Sequence, residues 1–472
     1  MATTDFRLKI IELMQELKIH APESMVDRLS DSGIKKIVTG NLEKPDGYLL
    51  VDKSVFQNLP LLTFDESNDN KIVLLRNSND LEFIFNLYQI YKGGFLPILI
   101  SPLTTDSEIA DFIKRFSPCG VLDGGIFKKT GESNLFPKLN ESDAAVILTS
   151  GSSGKPKAVV HTFLSLFNAA TRANCSMGVD GQDRWLLSLP LHHISGFSIL
   201  YRSIVGSIPL ILAESLNPAD KEFGNALRIA PTLVSFVPSQ LRDFITSWKR
   251  EATNFRHILV GGSAVDPSLI KSSIDADFKL SKVYGSSETA AFIAVTGYNS
   301  LKEDINSASR PLDGVTVSVE DGELIVETDQ LFNRYLDDDA LTSNKLVDGK
   351  FHTGDVVEID SKGLFKITGR KNRFIISGGL NVDPQEVERI ILTFPGIIEV
   401  FVFSVVNEKW GEAVSALLKT DGEIDFQDFH SYLKSHLMVY KIPKYYRIVD
   451  EIPLTAIGKH DLEGSRQLLF ER

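Results

Sequence analysis

Lys71–Ile100 reads KIVLLRNSNDLEFIFNLYQIYKGGFLPILI, and its pattern decides the fold class. IVLL, Ile72–Leu75, is a short apolar run of strand length. A cap at Ser78 or Asn79 then opens a helix with Asp80 and Glu82 in its first turn, where acids complement exposed N–H groups, and Gly93 with Gly94 ends it. FLPILI, Phe95–Ile100, is a second strand. Strand, helix and strand within so short a stretch form the unit of a parallel sheet covered by helices.

The same alternation continues outward. WLLSL (Trp185–Leu189), LILA (Leu210–Ala213), TLVSFV (Thr232–Val237) and HILVGG (His257–Gly262) are buried-strand candidates separated by helix-length segments. Beyond Gly314 the character changes. VTVSVEDGELIVE (Val315–Glu327) and FHTGDVVEIDSKGLFKITG (Phe351–Gly369) alternate and carry turn residues, as antiparallel hairpins do. A last unit follows, with FIIS, a helix from Pro384, strands IIEVFVFSVV and AVSALLK, a helix near Asp425–Leu437, then IVDEIP. The expected fold is α/β: a large domain, residues 1–371, and a small α+β domain, residues 372–472. The large domain would hold helix-covered, mainly parallel sheets.

Composition narrows the function. In 472 residues, 62 acidic side chains oppose 50 basic ones, a net charge of -12 that argues against a nucleic-acid partner. Two cysteines, Cys119 and Cys175, fit a reducing compartment rather than a disulfide scaffold. The amino-terminal stretch lacks an apolar run of signal-peptide length, and no stretch has the length and apolarity of a membrane span. A cytoplasmic protein is expected, and a homo-oligomer is compatible with this composition.

Five loops can carry chemistry. AAVILT, Ala144–Thr149, runs into SGSSGKPK, Ser150–Lys157, and out into AVV. Its glycines let the backbone approach an anion, and the amides, hydroxyls and Lys157 are donors for phosphate. A flexible Ser/Gly turn is the other reading. The Walker spacing is absent, and a strand rather than a helix is expected to follow. VYGSSETA places Tyr284, Gly285, Ser287 and Glu288 together, and a carboxylate beside hydroxyls suits Mg²⁺ shared with phosphates, or simply a solvated loop. FHTGD and GRKNR offer Asp355 and Arg370 as partners for ribose hydroxyls, although turns of this composition are common. In PLTAIGKHDLEG, Lys459 sits on a loop that Pro453 and Gly458 keep non-helical. LPLHHISG sets His192 and His193 beside a glycine, a poor metal site by spacing. FSILYRSI then buries Arg202 in apolar surroundings, where an arginine needs a carboxylate partner.

In order, TSGSSGKPKAVV, LPLHHISG, YGSSE, GEL, HTGD, GRKNRFIISGGLNVDPQEVE and PLTAIGK resemble the acyl-adenylate-forming superfamily. That group comprises acyl- and aryl-CoA ligases, luciferases and peptide-synthetase adenylation domains. The likeness extends over most of the chain, and AVVHT, WLLSLPLHHISGFSILYRS and VSFVPSQL are most similar to the o-succinylbenzoate-CoA ligases of menaquinone or phylloquinone biosynthesis.

The resemblance implies two steps: a carboxylate attacks the ATP α-phosphate to give an acyl-adenylate and pyrophosphate, and the coenzyme A thiol then displaces AMP. It also implies a small distorted β-barrel-like part in the large domain and mobility of the small one. Thr149, Ser150, Gly151, Ser152, Ser153, Gly154 and Lys157 would hold phosphate, with Glu288 on Mg²⁺ and Ser287 near the α-phosphate. Gly262, Tyr284 and Gly285 would border the nucleotide, and Asp355 and Arg370 the ribose. Lys459 and Lys157 would stabilise the transition state, and His193 and Ser195 would face the acid; Arg202, from its apolar surroundings rather than from the resemblance, is a further candidate, as partner for a second carboxylate. Asn372 would be the hinge, and Gly378 and Gly379 the coenzyme A side of the moving loop. Four positions depart from the family pattern: Ser287 for Thr, Ala158 for Gly, Asn372 for a charged hinge residue, and Arg334 where Gly commonly precedes Tyr335. Another aryl- or acyl-CoA ligase, or a non-catalytic adenylate-binding protein, is the alternative.

Overall fold

The helix expected after Ile72–Arg76 runs Leu81–Lys92, and its cap is Asp80, whose carboxylate accepts from the Phe83 N–H at 3.0 Å. The cap expected at Ser78 or Asn79 is thereby corrected: the short Asp80 carboxylate itself reaches the first-turn amide. The computed structural model describes residues 5–27, 29, 35, 48–59, 71–76, 80–130, 139–149, 156–248, 254–263, 265–371, 375–377, 380–407, 411–455 and 460–471. The chain divides into two compact units, residues 1–317 with 326–351, and residues 318–325 with 352–472.

Two sheets build the first unit. The larger orders its strands Arg310–Pro311, Ala291–Thr296, Leu280–Ser286, His257–Val260, Leu233–Phe236, Trp185–Leu187, Leu210–Leu212, Ile19–Pro22 and Tyr48–Val51. Its interior pairs are parallel and its flanking pairs antiparallel. The smaller follows the same plan: Ile72–Arg76, Leu96–Ile100, Gly120–Asp123 and Asp143–Thr149 pair in parallel, and antiparallel strands flank them. Strands buried on both faces read as unbroken apolar runs, and Val73, Leu74, Val234, Ile258 and Val260 are all fully buried.

Helix ends are written locally. Thr162 and Ser165 form a capping box that opens Phe163–Met177, and Gly178 closes it. Among the described residues no helix is long and apolar enough to cross a membrane. Cys119 is buried and Cys175 exposed, so the two are not joined.

In the second unit, Lys350–Ile359 and Phe365–Arg370 pair as the expected hairpin. A further sheet orders Leu380–Val382, Ile375–Ser377, Gly411–Thr420 and Ile397–Asn407, with Tyr445–Ile448 parallel to Gly411–Thr420. Of IVDEIP, Ile448 alone is in a strand. Helices Pro384–Leu392 and Phe426–His436 cover this sheet through Val387, Ile391, Phe429 and Leu433.

Candidate active site

Asp143–Thr149 and Lys157–Thr162 pair antiparallel, with Thr149 opposite Lys157. This register makes a fixed base on which both ends of the Ser/Gly segment stand, and the strand expected after that segment is present. Ser150, Gly151, Ser152, Ser153 and Gly154 lie outside the described residues. Ala158, a departure from the family pattern, is fully buried opposite Leu148, so its methyl fills core space.

The second loop leaves the carboxyl end of Leu280–Ser286. In the same sheet the parallel strands His257–Val260 and Trp185–Leu187, separated by Leu233–Phe236, deliver Gly262 and the His192–His193 segment from their carboxyl ends, the edge where open α/β sheets bind ligands. Gly262 is exposed with φ +90°, a backbone region closed to most side chains. Gly285 is required for a different reason: a Cβ there would lie 1.9 Å from the Ala291 carbonyl oxygen, where the hairpin closes. Tyr284 is half-buried at the end of the same strand.

Glu288 is held by Tyr335, whose hydroxyl donates to its Oε1 at 2.8 Å, while the Phe332 N–H donates to the Glu288 carbonyl at 2.7 Å. The Lys157 ammonium lies 5.7 Å from the centre of the same tyrosine ring. Tyr335 therefore joins the phosphate-loop lysine to the acid. No ion pair joins Lys157 to any described residue. The Glu288 Oε2 takes no hydrogen bond among the described residues, and this half-buried carboxylate beside Ser287 is a hard oxygen donor. The set fits one Mg²⁺ ligand better than an all-protein cage, which accords with a cation shared with phosphates. Among the described residues no group of three metal-ligating side chains occurs.

On the other side of Ser287, the carbonyl meets His161 Nε2 at 2.8 Å. Burial lowers the His161 pKa to about 4, so the ring is neutral near pH 7. Arg334 explains its own departure from the family pattern, because its two terminal nitrogens donate to buried Asp143 at 3.0 and 2.8 Å.

His193 caps the helix Ile194–Gly206 through its backbone, and its ring lies 4.1 Å from that of His192. Ser195 is half-buried in the first turn. Arg202, two turns on, is 3% exposed and donates to Ser198 Oγ at 3.0 Å. Trp185 and Phe292 flank its guanidinium, 5.2 and 4.8 Å away. The carboxylate partner expected for it is absent among the described residues, and burial lowers its pKa to about 9. Arg202 lines a small cavity together with Ala173, Tyr201, Ala290 and Phe292. Ala290 and Phe292 follow Glu288 in the chain.

In the second unit Asp355 and Arg370 are opposed across the hairpin, and Arg370 Nε donates to Asp355 Oδ1 at 3.0 Å. Glu323, of the GEL motif, accepts from the Gly354 N–H at 2.7 Å and pairs with Lys371 at 3.1 Å. Thr353 Oγ1 donates to the Leu324 carbonyl at 2.8 Å, so GEL buttresses HTGD. Asn372, Gly378, Gly379 and Lys459 lie outside the described residues. The base of the Lys459 segment is fixed: Leu454 bridges to His460, and the Asp461 N–H donates to the Pro453 carbonyl at 2.8 Å. Sequence reasoning missed His161, Gln330 and the tyrosine of Arg334–Tyr335. A lone histidine inside the apolar run AVVHT was the one available signal for His161.

The model of the AMP-binding enzyme family matches residues 20–336, and that of the AMP-binding enzyme C-terminal domain matches 386–459. The chain belongs to the AMP-binding enzyme family. The superfamily and fold class read from the motifs are thereby borne out. Among relatives of this AMP-binding enzyme, the 2-succinylbenzoate--CoA ligase of Bacillus pumilus is 30% identical over 345 residues, 70% of this chain and 71% of the relative. That of Listeria monocytogenes is 28% identical over 410 residues, 83% of this chain and 87% of the relative. Among solved structures, the o-succinylbenzoate CoA synthetase of Bacillus subtilis in complex with its acyl-adenylate intermediate superposes with a TM-score of 0.72. It is 25% identical, covering 86% of this chain and 89% of that one.

Proposed function

We propose that this AMP-binding enzyme is an acid–thiol ligase that activates 2-succinylbenzoate with ATP and transfers the acyl group to coenzyme A, in menaquinone or phylloquinone biosynthesis. The observation that carries the acid assignment is Arg202, a buried cation with no carboxylate partner among the described residues and at the end of the Glu288 turn. A diacid has one carboxylate to activate and a second to neutralise such a charge. Relatives named for that acid support the same choice.

The geometry of the described residues supports one division of roles in adenylation. Lys157 stands at the base of the phosphate loop and supplies charge to the departing pyrophosphate, while Tyr335 keeps Glu288 aimed. Mg²⁺ on Glu288 would neutralise phosphate charge. Ser287 retains the hydroxyl of the family's threonine for the α-phosphate. His193 and Ser195 line the approach of the acid, Gly262 and Tyr284 border adenine, and Asp355, oriented by Arg370, takes the ribose. Lys459 would offset the charge of the five-coordinate phosphorus, a contribution made in the transition state rather than in binding. Thioester formation needs a channel for the pantetheine arm. A small domain of residues 372–472, turning at Asn372, would provide it beside Gly378 and Gly379. Two unjoined cysteines accord with a cytoplasmic location, as monomer or homo-oligomer.

Pyrophosphate release across a panel of acids tests the reading. 2-Succinylbenzoate should turn over well above benzoate and medium-chain fatty acids. The reverse order would make the chain another aryl- or acyl-CoA ligase, and no AMP from any acid would make it an adenylate-binding protein. Lys459→Ala should lose adenylate formation at least a hundredfold and keep conversion of supplied acyl-adenylate to thioester. Equal loss of both halves would contradict its role.

A further inference from the structure

We propose that His161 is a positioning residue for nucleotide binding: its Nε2–H holds the Ser287 carbonyl and so presents Glu288 and Ser287 to the metal and phosphates. The inference rests on the adenylate-forming reading above. The link joins residues 126 positions apart at 2.8 Å. His161 is fully buried on the strand Lys157–Thr162, four residues after the phosphate-loop lysine. One short strand thus carries Lys157 at one end and the clamp on the Glu288 turn near the other.

The tautomer follows from the partner. A carbonyl can only accept, so the proton sits on Nε2 and Nδ1 is bare; Nδ1 is buried and takes no hydrogen bond among the described residues. The turn itself needs holding. Ala290 and Ala291 have φ of +50° and +91°, a region that disfavours residues with a Cβ. Its carbonyls are secured one by one: Glu288 by the Phe332 N–H at 2.7 Å, Thr289 by Gln330 Nε2 at 2.9 Å, and Ala291 by Thr289 Oγ1 at 2.6 Å. Of these clamps, the one on Ser287 alone comes from the phosphate-loop strand. Its loss would leave the Ser287 carbonyl only the longer 3.3 Å bond from the Ala290 N–H inside the turn, and would loosen the residue between the adenine side and the metal side without touching either ligand. A buried histidine serving the core alone would instead lower stability and leave the balance between ligands unchanged.

The test compares His161→Leu, which fills the space but donates nothing, with His161→Gln, whose amide can donate. ATP binding is measured by calorimetry without acid across a Mg²⁺ series, alongside the melting midpoint and thioester formation from supplied acyl-adenylate. His161→Leu should bind ATP about tenfold more weakly, require more Mg²⁺ for half-saturation and lose several-fold less in the thioester half-reaction, whose acyl-adenylate keeps only the α-phosphate; His161→Gln should recover to within about threefold of the native protein. Native-like ATP binding by folded His161→Leu, or equal loss of both half-reactions, would overturn the role. Should His161→Leu fail to fold, His161→Asn, whose amide is too short to reach Ser287, should show the same selective loss, and native-like ATP binding by it would overturn the role. If the native protein itself binds no ATP, the adenylate-forming reading fails instead.

Discussion

Replacing Arg202 by Met should make the ligand-free protein more stable and its selection of diacids much poorer. At 3% exposure the guanidinium is cut off from water. Burial takes its pKa from the ordinary arginine range down to about 9, which corresponds to about 5 kcal/mol of uncompensated charge burial near pH 7, at ~1.36 kcal/mol per pH unit. The sign follows from linkage: the unfolded chain holds this proton more tightly, so the charge destabilises the fold at neutral pH, and the penalty fades only as pH rises past about 9. Contacts with Trp185 and Phe292 return about 1–2 kcal/mol between them, and the Ser198 bond about 1 kcal/mol, leaving a net cost of about 2 kcal/mol. A methionine of similar length removes that cost. Urea unfolding should therefore show a gain of about 1–2 kcal/mol for Arg202→Met. In pyrophosphate release, the apparent affinity for 2-succinylbenzoate should fall about a hundredfold, the worth of a desolvated charge pair, while an aryl monoacid changes less than about threefold. A less stable variant that loses both acids in parallel would refute this reasoning and leave Arg202 a structural residue.

Two further outcomes test other parts of the site. Burial pushes His192 down to about 4, and neither ring nitrogen has a hydrogen-bond partner among the described residues. The unfolded histidine takes a proton below pH 6.5 and the folded one does not, so stability is full above 6.5 and falls by about 3 kcal/mol as pH drops to about 4. Substituting His192→Phe should leave the melt at pH 7.5 nearly unchanged and shrink that acid loss by a similar amount; an unaltered pH profile of unfolding would rule this out. Arg334→Gly, which restores the commoner family residue, should cost about 3–5 kcal/mol in urea unfolding, because it strands the Asp143 carboxylate, 1% exposed. Adding Asp143→Ala should recover most of it, and turnover per folded molecule should stay near native. No loss from the single change would mean that the pair contributes nothing.

Tyr335 shows why part of the site escaped the sequence. Its neighbours in the chain mark a local turn, yet its hydroxyl meets Glu288 47 positions away and its ring meets Lys157. Glu323 reads as an ordinary acid in a hairpin until the fold brings it to the Gly354 amide. Asp80 displaced the expected cap for a simpler reason, since several polar residues in a row can cap a helix and the backbone settles which one does. By contrast the phosphate loop, the YGSSE turn, HTGD and the terminal Gly–Lys loop could be read at once, because each is a contiguous run whose glycines, hydroxyls and charges sit within a few residues.

The sequence alone determined the alternation of strands and helices, the order of the motifs and hence the chemistry. Apolar period, glycine and proline punctuation and motif spacing are local properties that need no partner. Tertiary structure decided which groups cooperate: His161 with Ser287, Tyr335 with Glu288, Arg334 with Asp143 and Arg202 with no acid among the described residues. Hydrogen bonds and buried charges are satisfied across tens to hundreds of positions. Their partners are fixed by how sheets stack and loops return, not by neighbours along the chain.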